Sequence, residues 1–296
     1  MKKFNHSKPK IIKGSKLKLG ENPFWNYKQK ELSFVDLKSK KFFIYKNQKL
    51  KTISLPFNIS SLIPTRRKNH FVATTGNKVM KIIINYKRIN ITSLKNFVEP
   101  NNNRFNDAKC DNYGRLWISS MDKNEKLETG NLWCYENPKK IFKAEKNFSI
   151  GNGMDWSPDD KILYFVASDK RVIFSYKFNI LNGNISRKKI FLKVPKKRGF
   201  PDGICTDREG CVWVAYWNGG CIARHYPSGK IQKIIYLPRK KITSLCFGGV
   251  KLDTIFVTSA EENLNKKIKK DGCVFKIKTN ILGKKLNHFG NQSNQY

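Results

Sequence analysis

Six times along the chain the same order of segments returns: a short polar segment, a polar turn, an apolar strand rich in aromatic or β-branched residues, a connection and a second such strand. The turns read WNYKQKE, TRRKN, DNYGR, SPDDK, DREGC and GGVKLD. They lead into LSFVDL, HFVATT, LWISSM, ILYFVAS, VWVAYW and TIFVTSA, and then into KKFFIYK, KVMKIII, NLWCYE, RVIFSYKF, CIARHYP and CVFKIK. A weaker fourth strand often follows, as in LKTISLPF, KKIFKAE and KIQKIIYLP. Marking each short segment by Glu21, Ser61, Asn106, Asn152, Asp202 and Thr243 gives intervals of 40, 45, 46, 50 and 41 residues. Four antiparallel strands repeated at that period are the signature of a propeller blade. The expected fold is therefore all-β, a six-bladed β-propeller with four-stranded antiparallel blades. A pair of β-sandwiches would not repeat evenly along the whole chain. Neither half of a ring closes alone, so residues 15–296 are expected to form one domain, with residues 1–14 as a flexible basic N-terminal tail.

Composition sets the outer limits. The 296 residues are 39% hydrophobic and 12% aromatic, enough for a sizeable core. Apolar runs such as ILYFVAS and TIFVTSA stop after about seven residues, far short of the ~20 that span a bilayer. The basic N-terminus MKKFNHSKPKIIKGSK lacks the apolar core of a secretory signal and takes its charge from Lys, so a cytoplasmic protein without a membrane span is expected. Seven scattered cysteines, never in a C-x-x-C pair, argue against a disulfide framework or zinc ribbon. The four histidines lie far apart. Any catalysis must lean on carboxylates, amides and cations. Against 22 acidic residues stand 59 basic ones, a net charge of +37. The lysines fall at turns and strand ends alike rather than on one stripe. They read as a solvated surface with weak, salt-sensitive affinity for polyanions and no specific nucleic-acid partner.

The repeat carries a functional statement. The first strand of each blade lines the central channel, so residues at its mouth converge although about 45 residues separate them in sequence. The markers include two carboxylates, Glu21 and Asp202, and two amides, Asn106 and Asn152, with Arg104 beside them. Such oxygen ligands suit a hard divalent cation. Each has a bland reading. Glu21 is a loop carboxylate, Pro201-Asp202-Gly203 reads as a β-turn, and Asn152 between two glycines can be left-handed. Recurrence at equivalent positions favours a shared site. Asp111, Asp159, Asp160 and Asp207 belong to outer turns, where Asp caps backbone amides. Asp36, Tyr45, Trp117, Trp156 and Trp213 read as parts of strands packing blade on blade. No phosphate-binding loop, dinucleotide fingerprint, G-x-S-x-G or H-E-x-x-H occurs.

At these residues the chain resembles the gluconolactonase/regucalcin family of propellers, the senescence-marker-protein-like lactonases. The segments that carry the resemblance are GENPFW, NNRFNDAKCDNYGRLW, GNGMDWSPDDKILYF, PDGICTDREGCVWVAYWNGG, LCFGGVKLDTIFVTSA and GCVFKI, across about residues 17–290. The resemblance implies a metal-dependent hydrolase of sugar lactones such as gluconolactone, a monomer using one divalent ion (Ca, Zn, Mg, Mn or Fe(II)). It maps metal ligands onto Glu21, Asn152 and Asp202, and substrate contacts onto Arg104 and Asn106. Asp202 is the expected general base. Two departures stand out: Ala108 within Asn106-Asp107-Ala108-Lys109, and Gly151 before Asn152. A lid carboxylate known in vertebrate members falls in MDKNEKLE, where Glu125 or Glu128 is the candidate. A propeller that only binds Ca, and one that serves as a polyanion-binding platform, are the competing readings.

Overall fold

The structure, a computed structural model, describes residues 4–85, 88–263 and 269–290. Six four-stranded antiparallel sheets stand around a central channel as a six-bladed β-propeller. Blade one runs Gly20–Asn26, Glu31–Asp36, Lys41–Lys46 and Lys49–Ser54, and blades two to five repeat that innermost-to-outermost order. Their innermost strands are Ser61–Pro64, Asn103–Cys110, Gly151–Trp156 and Phe200–Thr206. Blade six has Ile242–Gly248, Thr254–Ser259 and Val274–Lys278, and its fourth, outermost strand comes from the other end of the chain. Lys10 pairs with Lys276 and Ile11 with Phe275.

That pairing corrects the expected tail. Ser7 N donates to Lys278 O at 2.8 Å, Ile12 N donates to Val274 O at 2.8 Å, and Ile12 is buried. Of residues 1–14, those from Phe4 onward lie along blade six; residues 1–3 fall outside the described set. A two-residue strand carries no alternation, so the sequence gives no sign of it, yet it ties the first and last segments of the ring together.

Apolar side chains fill the spaces between blades. Trp117 of blade three meets Trp156 of blade four edge to face, with ring centroids 5.9 Å apart, and both are buried. Behind them, Asp111 accepts from Trp117 Nε1 at 2.9 Å and Arg115 Nε at 2.7 Å. Blade five repeats the device: Asp207 accepts from Trp213 Nε1 at 2.8 Å and Arg224 Nε at 2.7 Å. Both aspartates also cap their turns as expected: Asp111 Oδ1 accepts from Tyr113 N and Arg115 N at 3.0 Å, and Asp207 Oδ1 from Glu209 N at 3.0 Å and Cys211 N at 3.1 Å. All seven cysteines are buried and unbridged. Among the described residues no helix is long and apolar enough to cross a membrane.

Near its start, the innermost strand of five blades carries two residues opposite one on the next strand. The unpaired residues are Asn22-Pro23, Asn106-Asp107, Asn152-Gly153, Asp202-Gly203 and Thr243-Ser244. Blade two pairs straight through, Ser61 with Thr74 to Pro64 with Phe71. A bulge bends its strand and re-aims side chains, which places functional groups at one end of the channel.

Candidate active site

These bulges open onto a cavity of about 210 Å³, which Glu21, Arg104, Asn106, Asn152 and Asp202 all line. The five residues singled out in the sequence thus meet at one mouth. Ser61 and Thr243 do not line it. Ser61 Oγ is 2.6 Å from Thr74 Oγ1, and Thr243 Oγ1 donates to Gly20 O. Both hydroxyls hold strands together.

Two bland readings are overturned by local geometry. Asn152 is not left-handed, and Pro201-Asp202-Gly203 lies inside the strand Phe200–Thr206 rather than in a turn. The neighbouring glycines serve close approach. A Cβ at Gly153 would lie 2.7 Å from Asp202 O, and one at Gly203 would lie 2.3 Å from Ser244 Oγ. Innermost strands of adjacent blades converge toward the axis, and only a residue without Cβ lets them come that near.

In blade one the equivalence slips by one residue. The position matching Asn106, Asn152 and Asp202 is Asn22, with φ of 48°, whereas Glu21 still pairs with Val35 just before the bulge. Asn22 is structural: its Nδ2 donates to Ala108 O at 2.9 Å and Asp107 Oδ1 at 3.3 Å, while its Oδ1 accepts from Leu62 N at 2.9 Å. It stitches blades one, two and three around the channel.

Charge is concentrated and unbalanced here. Burial pushes the Asp202 carboxyl well above its usual range and Asp107 adds to the shift, against the opposing pull of Asn152, Gly203 N–H and Arg104. Burial likewise raises Glu21, with Asp202 and then Asp107 contributing. Asp107, which sequence reasoning did not single out, is itself raised by burial. It does not line the cavity but acts on both lining carboxylates as a third acid. Asp202 Oδ1 is buried without a hydrogen-bond partner among the described residues. A buried carboxylate oxygen with no donor is costly. A divalent cation shared by Asp202, Glu21 and the Asn152 amide oxygen would satisfy that oxygen and offset the mutual repulsion. The residues present fit such an ion.

The opposite wall is held by hydrogen bonds. Arg104 Nη1 donates to Asn106 Oδ1 at 2.8 Å and Phe105 O at 3.0 Å, and Asn106 Nδ2 donates to Gly151 O at 3.0 Å. Ser168 joins the cavity unannounced by the sequence. Its Oγ donates to Pro201 O at 2.6 Å and accepts from Asn152 Nδ2 at 3.2 Å, which steers the amide. Of the two lid candidates, Glu125 lines the cavity, with a φ of 60°, and its charge supports the Arg104 cation. Glu128 points away and pairs with Lys170 at 2.9 Å. Met121, Phe200 and Trp217 add apolar wall.

The class is thus a six-bladed propeller with an acidic, amide-rich site at one mouth of its channel. The sequence pattern described as SMP-30/Gluconolactonase/LRE-like region matches residues 19–261, and the chain belongs to that family. The regucalcin of Xenopus laevis is 32% identical over 273 residues, covering 88% of this chain and 90% of the relative. Among solved structures, a luciferin-regenerating enzyme superposes with a TM-score of 0.88 at 28% identity, covering 97% of this chain and all of the other. A calcium-binding protein, regucalcin from Agrobacterium tumefaciens, has a TM-score of 0.86 at 20% identity over 96% of this chain and 97% of its own, a likeness of fold.

Proposed function

We propose that the protein hydrolyses sugar lactones such as gluconolactone with the help of one divalent cation, as a cytoplasmic monomer. The observation that carries this reading is Asp202 Oδ1, buried without a hydrogen-bond partner among the described residues in the same cavity as Glu21 and Asn152. Membership of a family whose description includes gluconolactonase supports the reaction class. The oxygen-only donor set is compatible with Ca, Mg, Mn, Zn or Fe(II).

When bound, the cation supplies a Lewis acid for the lactone carbonyl and the positive charge that lets Glu21 and Asp202 ionise together. The chain's own residues do the rest. Asp202, ionised and facing the cavity, takes a proton from the water that adds to the carbonyl carbon. The bond from that carbon to the ring oxygen then breaks, and the proton returns to the departing ring oxygen, which leaves the open-chain acid. Arg104, its guanidinium fixed by Phe105 O and Asn106, offers its remaining N–H groups to the substrate oxygens. Asn106 keeps one amide N–H beyond the bond to Gly151 O for a ring hydroxyl. Glu125 supplies an acceptor at the rim.

The test is a pH-indicator assay of the purified chain across a panel of aldono-lactones, with and without chelator. Acid release above the spontaneous rate, lost on chelation and restored by a divalent cation, is expected. Cation binding with no such release would leave the protein a binder rather than an enzyme.

A further inference from the structure

At the far end of the channel, where the innermost strands of blades one to three finish, lies a second cavity of about 260 Å³. Its walls come from the turns after those strands and from the C-terminal segment that crosses beneath them, and they bring together Lys28, Arg66 and Lys285 with Asn112, Asn287 and His288. We propose that this cavity binds a phosphate-bearing anion of small-metabolite size, held by Lys28, Arg66 and Lys285.

The cations converge without acids to meet them. Among the described residues no carboxylate lines the cavity, and none of the three cations is in an ion pair. Asp160 reaches the edge only through Asn112, whose Nδ2 donates to it at 2.8 Å. Lys28, Arg66 and Lys285 are exposed at the rim of the recess, unlike Arg115 and Arg224, which are buried and paired with Asp111 and Asp207, each at 2.7 Å. Here neutral contacts position the cations instead. Lys285 Nζ stands 4.3 Å from the Tyr27 ring centroid, and Arg66 Nε donates to Gly290 O at 3.2 Å. Both arrangements leave charged N–H groups for a ligand.

His288 records the local field. Its ring meets Phe24 edge to face at 5.5 Å, and its pKa is pushed down to about 4, first by burial and then by Lys28 and Arg66. Three cations from separate segments match a multiply charged anion, and an arginine fork suits phosphate geometry. A recess rather than an open stripe favours a small molecule over a nucleic-acid strand, whose phosphates need a continuous track.

On a chain of net charge +37, any test must separate this recess from the general surface. Pyrophosphate is titrated calorimetrically into the full chain at physiological salt, alongside Arg66→Ala/Lys285→Ala and a charge-matched control, Lys49→Ala/Lys51→Ala, on the exposed outermost strand of blade one. The cavity pair should weaken binding by about tenfold or more, as expected for lost charge-assisted hydrogen bonds, and the control by less than about twofold. Lys28→Ala, in an exposed turn, gives a second reading if the double variant fails to fold. In NMR titrations the His288 pKa should rise when pyrophosphate is added, because the anion cancels the neighbouring charge. ADP is run in parallel: affinity equal to pyrophosphate assigns the cavity to phosphates alone, tighter binding places the organic part in the remaining volume, and both support the site. Equal weakening by both double variants, an unmoved His288, or an oligonucleotide outcompeting both probes in every variant would overturn it.

Discussion

Where the innermost strands begin, Glu21 and Asp202 crowd with Asp107 against Arg104, while Lys109 partly offsets the charge of Asp107. Where they end, Lys28, Arg66 and Lys285 gather, and among the described residues no carboxylate lies on the cavity wall. The same strands serve both ends, some 17–20 Å apart at ~3.3 Å per residue. What differs is how each end is finished. At the acidic mouth, the bulges of blades three, four and five turn Asn106, Asn152 and Asp202 into the cavity, and Glu21 enters it just before the bulge of blade one. At the basic mouth the strands simply stop, and the segment from Ile281 to Gly290 crosses beneath them. Arg208 N donates to Leu282 O at 2.9 Å, Lys284 Nζ reaches Asp155 Oδ1 at 3.4 Å, and Gly290 N donates to Gly114 O at 3.0 Å. The first end is therefore built within the repeat, whereas the second combines repeat turns, which supply Lys28 and Arg66, with a segment outside the repeat that supplies Lys285 and His288. Residues of the first recur with the blade period, whereas those of the closing segment have no period to betray them.

The largest expected effect belongs to the acidic mouth. Asp202→Asn keeps an oxygen and nearly the same volume but removes the base and one negative charge. It should lower kcat by on the order of 10² or more, the range for losing general-base catalysis, beyond what added cation restores. Full activity at saturating cation would break the assignment and move the base to another carboxylate, with Glu125 the first to examine.

Next in size is the effect of the cation on stability. Glu21 and Asp202 hold their protons more tightly in the folded chain than in the unfolded one. Between the ordinary carboxylate pKa, near 4, and their raised folded values, the native state carries the extra protons. These two groups therefore make the cation-free protein less stable as pH rises through that window. A divalent cation relieves the repulsion and competes with those protons. Thermal unfolding with and without Ca²⁺ should show stabilisation of about 2.7 kcal/mol at a hundredfold excess over Kd near neutrality. The gain should shrink toward about pH 5 and in Asp202→Asn. A gain independent of pH, or unchanged in the variant, would place the cation elsewhere.

This contrast also explains what could be read in advance. The hydrophobic alternation and the turn residues specify blades, so Glu21, Arg104, Asn106, Asn152 and Asp202 could be brought to one cavity from their spacing. Register is not written the same way. The slip at Asn22 follows from which residues are left unpaired, and Ser61 sits in the one blade whose innermost strand is unbulged. Asp107 hides behind Asn106 as the second residue of its bulge. Choosing between Glu125 and Glu128 required the path of the loop. The outer strand at Lys10–Ile11 and the crossing segment after Ile281 are short, aperiodic and held chiefly by backbone bonds, which any side chain can make.

Gly203→Ala asks whether the acidic mouth depends on strand convergence rather than on side chains alone. Its Cβ would lie 2.7 Å from Ser244 Cα and 2.3 Å from Ser244 Oγ, so the backbones of blades five and six must part. Overpacking of this kind costs about 1–3 kcal/mol, measurable by urea unfolding. The shift should also carry Asp202 and reduce cation affinity. An unchanged unfolding midpoint would show that the inner strands give way freely.

Arg104→Ala is the smallest of these perturbations and the most discriminating. Arg104 is the cation at the acidic mouth, and its charge is felt by both Glu21 and Asp202. Removing it deletes a substrate contact, so KM should rise, by about tenfold for the loss of ~1.4 kcal/mol of uniform binding. It also removes a positive charge that competes with a bound divalent cation, so the cation concentration giving half-maximal activity should hold or fall. The two constants move in opposite senses only if Arg104 faces the substrate and leaves the ion's ligands in place. Were cation affinity to drop together with substrate affinity, Arg104 would be holding Asn106 and the neighbouring strand in position, through the bonds to Asn106 Oδ1 and Phe105 O, rather than binding the lactone.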